Sequence, residues 1–261
     1  MKEAILVVSF GTTFEDTREK NITAVLNRVA AAHPDCPVYE AWTSSMIMRA
    51  LEKRGQHVDN VPEALAKMHA DGITDIKVLP THLLYGDEYD KMRAFLDADA
   101  EKFSSITVAA PLLAGDEDLR AVLSAVAEGV ETAEDEALVL MGHGTPHFCN
   151  TVYAAMDYHA KATGLKHVFV GTVEAFPDLE ALMDAVRAAG YRRVVLTPLM
   201  LVAGDHANND MASDEPDSWK TQFTEAGLPA RAVIRGLGEY EKVLNLYQSH
   251  HQNAAAGGGE G

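Results

Sequence analysis

Short apolar runs alternate along this chain with amphipathic stretches of helical period. Residues 4–9, 38–42, 76–84 and 106–113 are runs of the kind that form buried parallel strands. Between the first two, Ile22, Val25, Leu26, Val29 and Ala30 recur at helical spacing, behind a cap at Thr13 or Asp16 and ahead of Pro34. AWTSSM leads into a helix carrying Ile47, Met48 and Leu51. Further helices are expected over residues 61–70, closed by Gly72, and over about 88–103 and 116–131. The pattern then restarts. Strands are expected at 137–141, 167–173, 193–202 and 232–234, with helices near 150–163, 179–189, 219–226 and 239–250. This alternation defines an α/β fold, with parallel sheets flanked by helices.

The two halves resemble each other. GITDIKVLP, beginning at Gly72, aligns with GYRRVVLTP, beginning at Gly190, and THLLYGDE continues without a gap against LMLVAGDH. ILVVSFGTT aligns with LVLMGHGTP. Phe10 therefore corresponds to His143, and Glu88 to His206. A duplication predicts two similar domains with a cleft between their strand ends. The acidic segment ETAED, at 131–135, has no apolar anchor and reads as the crossing. The expected domains are 1–132 and 133–252, the second carrying the metal ligands, with 253–261 a disordered low-complexity tail.

The strand ends carry the candidate chemistry. His143 follows a strand directly, between Gly142 and Gly144. Glu174 follows the next, in VEAFPD, and His206 lies beyond the third, in the polar run GDHANND. Ligands of open α/β sheets bind at this edge. Two imidazoles and a carboxylate suit a borderline divalent ion such as cobalt, nickel, zinc or iron(II). The flanking glycines are expected to let a large ligand approach His143 closely. Asp205, Asn208, Asn209 and Asp210 are expected to orient His206. His147, His159 and His167 read as structural or surface residues. GHG lacks the Lys of a P-loop and the full dinucleotide fingerprint, so no nucleotide is expected.

Composition narrows the partners. The 261 residues are 47% hydrophobic and 23% charged, ordinary for a globular protein large enough for two domains. The net charge of −17 argues against binding nucleic acid or an anionic membrane. No apolar run approaches the roughly 20 residues that span a bilayer. The N-terminal run leads straight into a turn, as a first strand does and a signal peptide does not. Two cysteines in unlike contexts, Cys36 and Cys149, suggest neither a disulfide framework nor a thiolate metal site. A cytoplasmic protein is expected, with room for a homo-oligomer.

Together LVVSFGTT, MGHG, the Glu174 context, PLMLVAGDHANNDMASDEPDSWK and GLGE resemble the anaerobic-pathway sirohydrochlorin cobaltochelatases, class II chelatases of cobalamin biosynthesis. The resemblance runs from about residue 3 to 250 and is most specific at GDHANNDMASD. It implies the chelatase fold, and a lyase-class enzyme that inserts cobalt(II) into sirohydrochlorin without ATP. It also implies that His143, Glu174 and His206 bind the metal, with His143 doubling as proton acceptor. Sirohydrochlorin ferrochelatase activity, or a non-catalytic cobalt or nickel carrier, are the alternatives. The acidic tetrapyrrole needs local donors to offset the charge of the chain. Ser9, Phe10, Gly11, Thr12, Thr13, Glu88, Gly144 and Thr145 are the candidate substrate contacts, the backbone amides after Gly11 and Gly144 among the donors.

Overall fold

The computed structural model describes residues 2–256. Strands β1 (Glu3–Ser9), β2 (Val38–Trp42), β3 (Asp75–Pro80) and β4 (Ser105–Val108) form one parallel sheet in the order β2-β1-β3-β4. Strands β5 (Glu136–Gly142), β6 (Val168–Thr172), β7 (Arg193–Pro198) and β8 (Ala230–Ala232) form a second in the order β6-β5-β7-β8. The registers repeat as well. Ile5 pairs with Val38 as Leu138 pairs with Val168, and Val8 with Pro80 as Met141 with Pro198. The β1–β3 and β5–β7 pairs join positions that the internal alignment equates.

The cores repeat the same positions. Ala4, Leu6 and Val8 of β1 pack with Ile76 and Val78 of β3 against the helices Val61–Ala70 and Asp87–Ala98. In the second sheet Ala137, Val139 and Met141 pack with Val194 and Leu196 against Leu182, Val186, Trp219 and Phe223. The alternate residues, Ile5 and Val7 in β1 and Leu138 and Leu140 in β5, are also fully buried. Both central strands are thus covered on both faces, which is why they read as unbroken apolar runs.

Two strands are shorter than their apolar runs. The ladders of β3 and β7 stop at Pro80 and Pro198. Leu199, Leu201 and Ala203 continue the run as buried loop, so hydrophobicity there marks burial and not strand. The fourth strands are also brief, and β8 lies at 230–232 instead of 232–234.

The chain divides into two compact units, 1–114 with 244–261, and 115–243. The division therefore does not fall at the acidic 131–135 segment. The helix Asp116–Gly129, which follows β4, belongs to the second unit. There His159 bonds Asp116 at 3.2 Å, Lys242 pairs with Glu128 at 2.6 Å, and Tyr240 packs on Gly129. The helix Glu241–Ala256, which follows β8, belongs for most of its length to the first unit. Tyr247 is fully buried there and donates to the Thr81 carbonyl at 2.8 Å. Each unit is completed by the helix that follows the other unit's last strand. The expected tail at 253–261 is helical through Ala256, and the rest of it lies outside the described residues.

The last helix also carries a buried imidazole. His251 is 1% exposed, packs edge-on against His33 with ring centroids 4.8 Å apart, and neither of its nitrogens has a hydrogen-bond partner. Burial, with His33 and Lys77 nearby and Glu3 opposing, holds its pKa down to about 4. The unfolded value is about 6.5, so the neutral ring contributes stability that is complete above that pH and lost as pH falls towards 4. Denaturant unfolding at pH 7 and pH 5 should show His251→Leu losing about 1–2 kcal/mol less than wild type over that interval. Equal losses would mean that the ring is hydrated in the folded state.

Candidate metal centre

Three loops at the C-terminal edge of the second sheet build the site. His143 is the first residue after β5, Glu174 lies two beyond β6, and His206 lies eight beyond β7. Backbone bonding continues past the strands and ties the first two loops together. Val173 N–H donates to the Gly142 carbonyl at 3.0 Å and Glu174 N–H to the His143 carbonyl at 2.9 Å. His206 opens a π-type turn, Ala207–Met211, a widened helical turn that often occurs at functional sites.

The glycines beside His143 serve the protein's own packing. A Cβ on Gly142 would overlap the ring of Tyr153. Gly144 has φ +86°, and a Cβ there would meet the Ala175 nitrogen at 2.8 Å. This corrects the expectation that they leave room for a ligand. Tyr153 is buried beneath His143, with its hydroxyl by the Gly144 and His143 amides, and burial pushes its pKa up to about 12.

His143, Glu174 and His206 each bring one ligand atom within 4.8 Å of the others. The two imidazoles meet edge to face at 87°, with centroids 4.5 Å apart. His143 Nδ1 lies 3.7 Å from Glu174 Oε2. Nδ1 of His143 faces the Gly144 carbonyl at 2.8 Å, and a carbonyl only accepts, so that nitrogen carries the proton. Nδ1 of His206 bonds the carboxylate of Asp210, four residues on, by the same logic. In the neutral form of each ring the lone pair is then on Nε2. The side chains of His143 and Glu174 are 46% and 52% exposed, and that of His206 is 32%, so an ion can enter and leave.

Asp210 is the orienting residue among the four polar neighbours. Asn208 instead donates to the Ala203 and Gly204 carbonyls, and Asn209 bonds Asp205. The structural reading of the other histidines agrees with their contacts. His147 accepts from the Cys149 amide, and His159 pairs with Asp116. Cys36 and Cys149 form no disulfide and belong to different units.

The substrate-contact candidates divide. Ser9 is fully buried and its hydroxyl accepts from Thr81 at 2.9 Å. Thr12 is 5% exposed and bonds the Phe14 amide. Gly11 and Gly144 are buried, and a Cβ on Gly11 would meet the Trp42 ring at 2.5 Å. Thr145 spends its amide on Asn150 and its hydroxyl oxygen on the His147 amide. These residues brace the loops from within, and in these bonds the Ser9, Thr12 and Thr145 hydroxyl oxygens accept. Phe10, Thr13 and Glu88 retain exposed surface.

The first unit repeats the scaffold without the ligands. Ser44 N–H donates to the Phe10 carbonyl at 3.2 Å, where Glu174 N–H meets His143. The residues matching His143, Glu174 and His206 are thus Phe10, Ser44 and Glu88. Glu88 has one buried oxygen with no hydrogen-bond partner, 3.5 Å from the Lys91 ammonium. A second group with ligand-like spacing, His57, Asp59 and Glu63, occurs in this unit among the described residues. Its carboxylates are already engaged. Asp59 is paired with Lys67 at 2.5 Å, and Glu63 caps the helix Val61–Ala70 through the Asn60 amide at 2.8 Å.

The duplicated parallel α/β fold brings two imidazoles and one carboxylate together at a strand edge, a donor set that suits a divalent ion. SirB from Bacillus subtilis, solved with Fe3+, has the same fold at a TM-score of 0.70, with 17% identity over 98% of this chain and 96% of its own. The sirohydrochlorin chelatase SirB from Bacillus subtilis subspecies spizizenii, in complex with cobalt, matches at 0.66 with 15% identity over the same shares. The chain belongs to the cobalt chelatase (CbiK) family, which it matches over residues 3–256. The sirohydrochlorin cobaltochelatase of Salmonella typhimurium is 41% identical over 97% of this chain and 96% of its own length. The sirohydrochlorin cobaltochelatase CbiKC of Nitratidesulfovibrio vulgaris is 33% identical over 95% and 89%.

The Asp210 contact has a measurable consequence. A carboxylate behind a metal-binding imidazole fixes its tautomer and strengthens its binding, and its loss costs about 10–100-fold in affinity. Asp210→Ala should weaken cobalt(II) binding by at least about tenfold in a spectroscopic titration, with the fold intact by circular dichroism. Unchanged affinity would mean that the rings are held by packing alone.

Proposed function

We propose that this protein inserts cobalt(II) into sirohydrochlorin, with His143, Glu174 and His206 as the ligands that present the ion. The observation that carries this reading is the convergence of two imidazoles and a carboxylate at one exposed strand edge. It agrees with family membership and with the names of the relatives. No helix among the described residues is long and apolar enough to cross a membrane, and a biosynthetic role in the cytoplasm suits that.

The chemistry follows from the lone-pair count. Insertion moves the divalent ion from the protein to the ring centre and releases two pyrrole N–H protons. Each imidazole has a single lone pair, so it cannot hold the ion and accept a proton at once. It can do so in succession, and two imidazoles then match two protons. Asp210 strengthens His206 as a ligand, whereas His143 leans on a neutral carbonyl. His143 is therefore the first to exchange the ion for a proton, and His206 the stronger anchor. The scheme consumes no nucleotide.

The direct test incubates the purified protein with sirohydrochlorin and cobalt(II) and follows loss of the metal-free absorbance band. His143→Ala should slow insertion by about 100-fold or more, and excess cobalt should not restore it. His206→Ala should be partly restored by excess cobalt. The opposite pattern reverses the two roles, and no insertion by the wild type removes the proposal.

A further inference from the structure

The loops of His143 and Glu174 are joined a second time, by a side chain that the chemistry above does not use. Asn150 Oδ1 accepts from the Thr145 amide at 3.1 Å, and Asn150 Nδ2 donates to the Phe176 carbonyl at 2.7 Å. Thr145 lies two residues beyond His143, and Phe176 two beyond Glu174. One carboxamide therefore spans the two ligand loops at equal distance from each ligand. It needs both an acceptor and a donor, a combination offered by Asn and Gln among the side chains whose two polar atoms leave one carbon.

Asn150 is mounted on a rigid support. It ends the helical turn Phe148–Asn150 and immediately precedes the helix Thr151–Ala162. That helix is locked to the strands that carry the ligands. Tyr153 fills the space beside Gly142 at the end of β5, and Asp157 accepts from the Val170 amide of β6 at 3.1 Å. The helix thus acts as a ruler laid across β5 and β6, with Asn150 at the end nearest the metal ligands.

We infer that Asn150 is a positioning residue for the metal centre, setting the separation of Glu174 and His143 by clamping their loops to one helix end. The inference rests on the assignment of the triad as the metal site. Without the clamp, the backbone bonds at Val173 and Glu174 still connect the loops, but the segments beyond both ligands lose their shared anchor. The carboxylate of Glu174, more than half exposed, is the ligand with least to hold it otherwise.

The test uses the whole protein and cobalt(II) alone, with affinity and the visible cobalt spectrum as readouts. Glu174→Gln and His143→Ala come first. If neither changes cobalt binding, the triad assignment fails, and the clamp has nothing to position. If they do, Asn150→Ala should weaken cobalt binding by about tenfold and shift the spectrum towards that of Glu174→Gln. The double variant Asn150→Ala with Glu174→Gln should bind no more weakly than Glu174→Gln, because both changes remove the same ligand. Asn150→Asp guards against misfolding. It keeps the acceptor for Thr145 but turns a carboxylate oxygen towards the Phe176 carbonyl. The added negative charge would by itself attract the ion more strongly, so weaker binding in this variant comes from lost geometry. A residue that merely supports the fold would lower the melting temperature and leave the spectrum of the folded protein unchanged. That result in both Asn150 variants, or additive losses in the double variant, overturns the inference.

Discussion

The hydrogen bond from the Glu174 amide to the His143 carbonyl is the contact on which the proposed metal centre depends. It is the last rung of a parallel ladder that starts deep in the core, where Leu138 faces Val168. Parallel pairing leaves no freedom in which residues emerge side by side at the sheet edge. Once β5 and β6 are in register, an imidazole and a carboxylate leave the ladder together. The third ligand arrives differently. β7 stops at Pro198, and the buried loop through Ala203 carries the chain to the turn that presents His206. Two ligands are placed by backbone pairing and one by loop packing, and it is His206, the loop-borne one, that has a charged partner in Asp210.

The first unit separates scaffold from chemistry. Its ladder ends with the same bond, Ser44 to Phe10, and the same positive-φ glycine follows. The fold therefore does not require a histidine after the first strand of either half. Phe10 shows that the position tolerates an exposed aromatic ring of another kind. His143, Glu174 and His206 are thus free of structural duty at their side chains, and their exposure is consistent with that. Gly142, Gly144 and Tyr153, by contrast, are bound to one another by packing.

Much of this was legible in the sequence, because the two strongest signals are local. Buried parallel strands are continuous apolar runs, and the positions equated by the shared spacing from Gly72 and Gly190 pair equivalently in the two sheets. The partner of each half's last helix was not legible. The apolar stripe of the helix Asp116–Gly129 says that one face is buried, not against which sheet. Proximity in the chain assigned it to the preceding strands, and packing assigned it to the following ones. Asn150 was hidden for a related reason. Its two bonds reach backbone groups in two loops, and backbone partners leave no mark on residue type. Asp210 had a signal, since a carboxylate four residues after a histidine shares its face of a helical turn. The four polar neighbours around His206 obscured which of them would use it.

The architecture of the site also bears on why a chelatase uses these ligands. A protein that keeps its metal surrounds it, commonly with four ligands and often with thiolates. Here the three proposed N and O donors are about one third to one half exposed, and both cysteines are elsewhere. Such a site leaves coordination positions free, through which an incoming ring nitrogen can attach before the protein ligands let go. Release then proceeds by exchange, one donor at a time, with no step in which the bare ion is set free. The supports behind the ligands oppose this looseness. Asp210 and the Gly144 carbonyl fix the rings, and the ladder fixes their spacing. Rigid donors around a weakly held ion lose little order on giving it up, because they were ordered before it arrived. Pre-organisation lowers the reorganisation cost of transfer, and a donor of metal, as distinct from a store of it, requires that.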